Sequence, residues 1–406
     1  MPAGFPRSGW VDDSAAIDVR LGLALRAGRS AFVTLTGGDA GQALRDADIV
    51  LAEADPVRAF EVCWHALFTL SVVGIPARAH SAVLAVRKRV AAQGSEWALV
   101  EMDLLQVRIL QRKGDLRTAA TVLRILLRKA MVLQDRPLAL RMVWGLAEVA
   151  RLAGTRTVPK VKGRGGVPLC DAGQATPEGL MARGAAQVGV EQFGAAVRTY
   201  LECGELLAEA GVDSSEVIRW RPAAVETLLR LGRSAEAGRL AEENLERALL
   251  VGTDGAIGFA RYVVALTRPR CERESLLVEA VSRLQDAGQL LDEAFAQYEL
   301  GKVLHKGAAD CHLLRAIQLA DDCGARPLGE RARALAGPSL GTLGGLTAQE
   351  RKVARLVAAG LSNPEIAKQL FLARRTVEFH LSGVYRKLGL TGRHDLTQLL
   401  SEGEGA

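Results

Sequence analysis

Apolar residues recur at every third or fourth position over most of the chain, a spacing that places them on one side of an α-helix. The run from Ala98 shows this pattern with Leu99, Met102 and Leu105, and the pattern resumes after a glycine-containing turn at 113–115. The sequence therefore predicts an all-α protein in which short turns separate antiparallel helices. The predicted array helices span residues 13–27, 40–54, 56–73, 76–93, 95–113, 115–134, 136–153, 177–189, 193–210, 215–231, 233–251, 255–266, 272–287, 289–306, 309–323 and 325–336.

The unit of helix, glycine-containing turn and second helix recurs along the chain. Such turns lie at Gly114, Gly232 and Gly307, and the last two are 75 residues apart. That distance corresponds to two helix pairs of about 37 residues, a period typical of tetratricopeptide-like repeats. In such repeats each pair buries its apolar side against the next pair. The Trp and Tyr positions typical of the repeat are not matched, so we predict a tetratricopeptide-like solenoid built from irregular helical hairpins.

Two segments rich in glycine and proline interrupt the periodic pattern. Residues 154–176 contain Pro159, Pro168 and a Gly-Arg-Gly-Gly run, which predicts a linker. The alternative, a phosphate-binding loop, requires a Lys-Ser/Thr pair and a preceding strand, and the segment has neither. Residues 337–345 predict a flexible tether. The expected units are an N-terminal helical array at 12–153, the linker, a second array at 177–336, the tether and a C-terminal domain at 346–402.

The C-terminal domain is predicted to form four short helices whose end signals are intact. Thr347 is followed three residues later by Glu350, and Ser362 by Glu365, so that each pair predicts a capping box at a helix N-terminus. Gly360 follows the first helix, where left-handed backbone favours glycine. A joint of three residues then separates the second helix from a third, expected from about 374 to 388.

The third helix has two chemically different sides. Its apolar positions, at spacings of four, three and four residues, are Val377, Leu381, Val384 and Leu388. The positions on the opposite side are Arg375, Phe379, Ser382 and Arg386. Two short helices with a tight joint, the second combining a buried stripe with a basic outer side, are typical of the helix-turn-helix arrangement.

Positive charge is concentrated in the same domain. Residues 346–400 hold nine Lys or Arg and four Asp or Glu, which gives +5 of the net +6 of the whole chain. A basic surface on a helix-turn-helix domain is what binding to the phosphates of double-stranded DNA requires. The sequence therefore predicts double-stranded DNA as a partner.

Composition argues against other classes of protein. No Ser-His-Asp set, paired carboxylates or metal-ligand spacing can be recognised, so we predict no enzyme, no cofactor and no metal site. The N-terminus lacks the apolar core of a signal peptide and no apolar run is long enough to span a membrane, which predicts a cytoplasmic protein without membrane contact. Scattered cysteines without a C-x-x-C pair agree with a reducing compartment. The cysteines are Cys63, Cys170, Cys203, Cys271, Cys311 and Cys323.

The C-terminal domain closely resembles the LuxR-type DNA-binding domain over about 55 residues. The resemblance is carried by the runs LTAQERKV, GLSNPEIAKQL and TVEFHLSGVYRKLG. The resemblance implies that the third helix lies in the major groove and that Glu378, Phe379 and Ser382 face bases. Phosphate contacts are expected from the helix N-terminal amides near Asn363 and from other positions of the same domain. Those positions are Arg374, Arg375, Thr376, Arg386 and Lys387.

Several of these residues also allow simpler interpretations. Glu378 accepts from a cytosine amino group in one interpretation and pairs with Arg374, one turn earlier, in the other. Phe379 is expected to contact a thymine methyl group, and His380 to pack as a neutral side chain beside the buried stripe. Ala373 stands where the family usually has Ser or Thr, which removes an N-cap worth about 1 kcal/mol. We therefore expect the third helix to start loosely or to order fully on DNA.

The helix pairs followed by a LuxR-type domain resemble the C-terminal part of the large ATP-binding regulators of the LuxR family, here expected without an ATPase module. The resemblance implies a sequence-specific DNA-binding transcription regulator, expected to activate transcription and to contact RNA polymerase. The helical array would receive an effector or a protein partner. Homodimerisation is expected through the fourth helix, at Leu396, Leu399 and Leu400. The alternative is a helical-repeat interaction scaffold that binds DNA only weakly.

Overall fold

The computed structural model describes residues 14–154, 176–304, 308–343, 346–370, 372–388 and 390–401. Within these ranges the chain forms α-helices and no β-strand, so the prediction of an all-α fold is confirmed. No described helix combines the length and apolar character needed to cross a bilayer. The predicted linker falls almost wholly on residues 155–175, which lie outside the described residues.

The helices of the first part of the chain are α1 (Ser14–Thr36), α2 (Ala40–Glu53), α3 (Phe60–Val73), α4 (Pro76–Ala91), α5 (Glu96–Lys113), α6 (Leu116–Leu133) and α7 (Arg136–Ala153). Those of the middle part are α8 (Pro177–Gly189), α9 (Phe193–Glu209), α10 (Trp220–Arg230), α11 (Ser234–Val251), α12 (Asp254–Thr267), α13 (Arg270–Asp286), α14 (Leu290–Val303), α15 (Ala308–Cys323) and α16 (Arg326–Leu343). The C-terminal domain contains α17 (Ala348–Ala358), α18 (Asn363–Gln369), α19 (Arg374–Leu388) and α20 (Arg393–Ser401).

The predicted glycine turns produce the helical hairpins. Gly114 has φ of +87°, a left-handed conformation that glycine adopts without a steric penalty. The carboxylate of the next residue, Asp115, accepts a hydrogen bond from the N–H of Thr118 at 3.0 Å and so caps α6. Gly232 has φ of +72° between α10 and α11. Gly307 lies outside the described residues.

Helices α1 to α16 each pack against the next helix in the chain, which confirms the solenoid of helical hairpins. This series also runs from α7 to α8, across the predicted linker. Side chains from both predicted arrays share one apolar core, in which Ala40 and Val72 join Leu180 and Leu284. The described helices of the two predicted arrays thus pack in one series, and the boundary between the arrays stays a prediction. Sequence periodicity reports which side of a helix is apolar, but not which distant helix covers it.

The array also packs back on itself. Leu116 and Leu126 of α6 belong to the same apolar cluster as Leu291 of α14 and Leu319 of α15. Helices α5 and α14 are in contact as well, although they are far apart in the sequence. Long-range packing of this kind removes apolar surface that an open solenoid would leave in water.

Helix α16 continues into the predicted tether. It spans Arg326–Leu343, so residues 337–343 of the predicted tether are helical. The sequence prediction gave the Gly337-Pro338 pair more weight than the leucines at 335, 340 and 343. Pro338 adds no N–H donor to the helix, but the other added residues can each gain a hydrogen bond for the cost of their own ordering, which favours continuation.

The C-terminal domain has its own small core, to which the array contributes Leu314 of α15. Leu314 and Leu346 are each 3% exposed, so the first residue of the domain is buried in this core. The guanidinium of Arg351 also donates to the carbonyl oxygen of Leu346 at 2.6 Å. The domain is therefore seated against the end of the array. The core residues that the domain itself supplies are Leu346, Val353, Ala354, Val357, Ile366, Ala367, Val377, Leu381, Val384 and Leu396.

Candidate nucleic-acid interface

The helix ends of the C-terminal domain follow the predicted capping signals. The N–H of Thr347 donates to the carboxylate of Glu350 at 2.7 Å, and Thr347 Oγ1 accepts from the N–H of Glu350 at 3.3 Å. The N–H of Ser362 donates to the carboxylate of Glu365 at 2.7 Å. Gly360 has φ of +85°, as the end of α17 requires. These caps fix α17 and α18, between which the chain turns sharply.

The joint between α18 and α19 is short and partly described. Helix α18 ends at Gln369 and α19 begins at Arg374, and the N–H of Leu372 donates to the carbonyl oxygen of Ala367 at 2.9 Å. Phe371 lies outside the described residues. The carbonyl of Ala373 accepts the first hydrogen bonds of α19, from the N–H groups of residues 376 and 377. The two helices are thus held in the order and proximity of a helix-turn-helix.

Helix α19 buries one side and exposes the other, as predicted. Val377 and Val384 have no exposed surface, and Leu381 is 4% exposed. On the opposite side the side chain of Phe379 is 76% exposed. The other exposed residues of this side are Arg375, Ser382 and Arg386. The exposed side of α19 thus presents an aromatic ring beside cationic side chains.

The structure shows one of the two interpretations of Glu378. The guanidinium of Arg374 donates to its carboxylate at 2.9 Å, one turn apart on the same helix. Both side chains are exposed, so the pair contributes little to stability. Ser382 Oγ donates to the carbonyl oxygen of Glu378 at 3.0 Å, which occupies its hydrogen but leaves its lone pairs free. The backbone and the ion pair thus hold Ser382 and Glu378, two of the three predicted base-contacting residues, on the exposed side.

Lys387 is also exposed, but its ammonium group is already paired. Its ammonium group donates to the carboxylate of Glu350 at 2.7 Å, across the domain. Glu350 is 7% exposed, and a Cβ atom at Gly383 would lie 2.6 Å from Glu350 Oε1. The lack of a side chain at Gly383 therefore lets the carboxylate approach α19. In the structure Lys387 thus neutralises a buried carboxylate, and its predicted phosphate contact stays a prediction.

Other predicted site residues hold the domain together. The guanidinium of Arg393 donates to the side-chain oxygen of Asn363 at 3.1 Å and to the carbonyl oxygen of Leu361, which ties α20 to the turn before α18. Leu396 has no exposed surface and belongs to the domain core, and its predicted part in dimerisation stays a prediction. The side chains of Leu399 and Leu400 lie outside the described residues. Thr376 is half-buried at the first turn of α19.

Sequence reasoning missed the contacts that these side chains make across the domain. Glu350 and Lys387 are 37 residues apart, and Arg393 and Asn363 are 30 apart. Helical periodicity cannot pair such residues. The one local signal was Gly383, a glycine within a predicted helix, which commonly marks a close approach by another group.

Comparisons with known proteins agree with this geometry. A family model described as bacterial regulatory proteins of the luxR family matches residues 345–400. These residues therefore form a LuxR-family helix-turn-helix domain. The spore germination protein GerE of Bacillus subtilis is 40% identical over 60 residues, which cover 14% of this chain and 81% of that protein. The DNA-binding transcriptional activator DevR/DosR of Mycobacterium tuberculosis is 45% identical over 51 residues, or 13% of this chain and 24% of that protein.

A longer similarity extends beyond the C-terminal domain. An HTH-type transcriptional regulator of Mycobacterium tuberculosis is 37% identical over 153 residues, which cover 36% of this chain and 16% of that protein. The chain thus matches only a small part of the length of this relative. Among solved structures, that of a Rap protein complexed with competence and sporulation factor has a TM-score of 0.45 at 11% identity, and covers 94% of this chain and 99% of that chain.

Proposed function

We propose that this chain is a sequence-specific, DNA-binding regulator of transcription, and that α19 is the helix that reads the major groove. The observation that carries the proposal is the exposed side of α19, where Phe379 stands in solvent between Arg375 and Arg386. Val377, on the other side, is fully buried, so the domain cannot turn this side inward without losing its core. The similarity of the domain to proteins named as transcription regulators supports the same interpretation.

Phosphate binding falls first to the cationic side chains around α19 that form no ion pair among the described residues, while Lys387 would have to release Glu350 to reach a phosphate. Arg375 and Arg386 are exposed, and no ion pair to either is formed among the described residues. Arg374 would exchange Glu378 for a phosphate, and Thr376 would contribute its hydroxyl group. The predicted phosphate contact near Asn363 stays a prediction that rests on backbone amides, because its side-chain oxygen already accepts from Arg393.

Base reading falls to Phe379 and Ser382, with Glu378 as a third reader. An apolar ring in the groove favours a thymine methyl group, while a hydroxyl group accepts or donates to several base edges. Release of Arg374 to the DNA backbone would free the Glu378 carboxylate to accept from a cytosine amino group. Binding would thus replace an exposed ion pair of small energetic value with two interactions to DNA.

We further propose that the protein binds its operator as a homodimer, which would match a two-fold DNA site. Because Leu396 is buried, pairing through α20 would rest on Leu399, Leu400 and their neighbours. Activation rather than repression, with a contact to RNA polymerase, is supported by the similarity of the domain to a protein named as a transcriptional activator. The helical array would receive an effector or a protein partner. The proposed location is the cytoplasm.

The central proposal can be tested in two steps. Sequences that the protein binds are first selected from a random pool of duplexes, and salt titrations are then made on the selected duplex and on a scrambled one. We expect the logarithm of the affinity for both to fall linearly with the logarithm of salt concentration, with the selected duplex bound about 1,000-fold or more tightly. Equal affinity for the two duplexes would instead favour the alternative, an interaction scaffold with weak DNA binding. If the protein selects no sequence at all, the proposal of a sequence-specific regulator is wrong.

A further inference from the structure

Two half-buried arginines of the array have no carboxylate of their own among the described residues. Arg108 and Arg112 are one turn apart on α5, and both side chains are half-buried. The guanidinium of Arg108 donates to the carbonyl oxygen of Val217 at 2.9 Å. That of Arg112 donates to the carbonyl oxygens of Ser71 and Gly74 at 2.9 and 3.0 Å. Among the described residues, neither arginine forms an ion pair, although buried charges in proteins are ordinarily paired.

The acidic groups nearest to Arg112 are already engaged by a third arginine. Arg219 donates to the carboxylate of Asp292 at 2.8 Å and to that of Glu216 at 3.1 Å. Arg108, Arg112 and Arg219 are here called the arginine cluster. Two carboxylates, Asp292 and Glu216, are bonded to Arg219. A third, Glu178, acts on Arg108 but is paired with Arg141. The cluster retains an excess of positive charge in a region that protein surrounds on several sides.

One hydrogen-bond donor of the cluster is left without an acceptor. Nε of Arg112 is buried and has no partner among the described residues. With the side-chain amide of Gln289 oriented so that both its atoms are satisfied, its oxygen accepts from Nη2 of Arg112 at 2.7 Å. The C-terminal carbonyls of α3 compensate part of the charge. They do not supply the full negative charge that a buried guanidinium favours, nor do they reach its Nε.

The pKa values of the two arginines also reflect the excess of positive charge in the cluster. Burial lowers the pKa of Arg112 to about 10, and burial together with repulsion from Arg112 lowers the pKa of Arg108 to about 10. Both groups stay charged near neutral pH, at a cost in free energy that the surrounding protein does not offset. An anion placed between them would restore the balance, since charge-assisted hydrogen bonds are strongest where water is scarce.

We propose that the arginine cluster is a binding site for a small organic anion, whose carboxylate or phosphate group accepts from Nε of Arg112 and from the free donors of Arg108. The ring of Phe68 lies 5.8 Å from the guanidinium of Arg108, and that of Phe259 lies 3.8 Å from the guanidinium of Arg219, so aromatic side chains border the cluster. The site is remote in sequence from the C-terminal domain. Its existence does not depend on DNA binding, and failure of one proposal leaves the other standing.

Isothermal titration calorimetry on the full chain tests the site, with inorganic phosphate and succinate as separate probes and sodium chloride holding ionic strength constant. We expect saturable binding of at least one probe, and the probe that binds identifies the phosphate or carboxylate class. Arg108→Gln and Arg112→Gln should each weaken it by about tenfold or more, because each removes a charge-assisted contact. Arg124→Gln, on the exposed side of α6, is the matched control and should leave binding unchanged.

Because Arg112 also forms hydrogen bonds within the fold, its substitution needs a folding control. Arg112 also binds the end of α3, so circular dichroism must show that Arg112→Gln retains the helix content of the native chain. If it does not, Arg108→Gln decides the test, because the only described backbone partner of Arg108 is Val217. Absence of saturable binding for both probes, or an equal loss in Arg124→Gln, would overturn the proposal.

Discussion

The ammonium group of Lys387 lies 2.7 Å from a carboxylate oxygen of Glu350, and this pair joins the end of α19 to the start of α17. The same oxygen accepts the N–H of Thr347, so one carboxylate caps α17 and holds the last turn of the proposed recognition helix. Burial alone would raise the pKa of Glu350, but the bonds from Lys387 and Thr347 outweigh it and hold the pKa below its ordinary value. The stabilisation is therefore present above the ordinary pKa of 4.5 and is lost as the pH falls through the lowered one.

Replacing Lys387 with Met should destabilise the C-terminal domain by about 1–3 kcal/mol, because Glu350 would keep its charge and lose its partner. Hydrogen exchange of the amides in α17 and α19, measured at neutral pH, reports this local stability. The loss should shrink at a pH below the lowered pKa of Glu350, where the carboxylate is protonated. Lys352→Met, at an exposed position of α17, is the control and should change exchange little. Equal protection in Lys387→Met and the native chain would show that the pair is not structural.

Arg375→Ala should weaken binding to all duplexes to a similar extent. An exposed arginine that contacts phosphate contributes to affinity without reading sequence, so the slope of log affinity against log salt should fall by about one. Fluorescence anisotropy across a salt series on selected and scrambled duplexes measures both quantities. Lys88→Ala, at an exposed position of α4 far from the domain in sequence, should leave the slope unchanged. A loss confined to the selected duplex would assign Arg375 to base reading instead.

Phe379→Ala should change which operator is preferred rather than the general affinity for DNA. Loss of the ring removes an apolar contact to one base pair, which is worth about 1–3 kcal/mol of discrimination. Because the ring is 76% exposed, its removal should leave the stability of the domain nearly unchanged. Selection of bound duplexes from a random pool is repeated with Phe379→Ala and, in parallel, with Ser382→Ala. The comparison shows at which base pairs of the operator the preference changes. A uniform loss on every duplex would contradict the role of Phe379 as a base reader.

Glu378→Gln separates the two interpretations of that residue. If Glu378 only pairs with Arg374, its neutralisation frees Arg374 for phosphate and should strengthen binding to every duplex, with no change in preferred sequence. We expect the other outcome, a weaker preference for cytosine at one position, since an amide presents a donor where the carboxylate accepts twice. Parallel selection experiments on the native chain and the variant decide between these outcomes.

Local signals accounted for the parts of the site that depend on neighbouring residues. The capping by Glu350 and Glu365 and the burial of Val377 follow from spacings of three and four residues, and the structure reproduces them. The partner of Lys387 could not be predicted, because a charge on the border of a helix surface gives no sign of a carboxylate 37 residues earlier. Its position on α19 fitted phosphate binding equally well.

In the array, too, features set by neighbouring residues were predictable, whereas contacts between distant helices were not. Most helix boundaries and the turn at Gly114 were predictable from apolar spacing and glycine. The shared core of Ala40 with Leu284 was not, because an apolar stripe does not specify which helix covers it. The extension of α16 through Leu343 was missed for the opposite reason, since glycine and proline were given more weight than the energetics of continuing a packed helix.

Gly383→Ala tests whether Glu350 is held as rigidly as its contacts indicate. A new Cβ would lie 2.6 Å from Glu350 Oε1, too close for atoms that are not bonded. A free glutamate would swing aside, and alanine would then stabilise the helix by about 0.5–1 kcal/mol, as expected for Gly28→Ala in α1, where the new methyl group meets nothing. Because Thr347 and Lys387 hold the carboxylate, we expect Gly383→Ala to destabilise α19 instead.

The cause can be isolated by a double-mutant cycle. In the Lys387→Met background the Glu350 side chain has lost one of its two anchors, so Gly383→Ala should cost less there than in the native chain. Hydrogen exchange in α19 gives the four free energies, and a coupling of about 0.5 kcal/mol or more is expected for groups in direct contact. Additive effects of the two substitutions would mean that the carboxylate moves freely, and that the contact between Glu350 and Lys387 does not constrain the recognition helix.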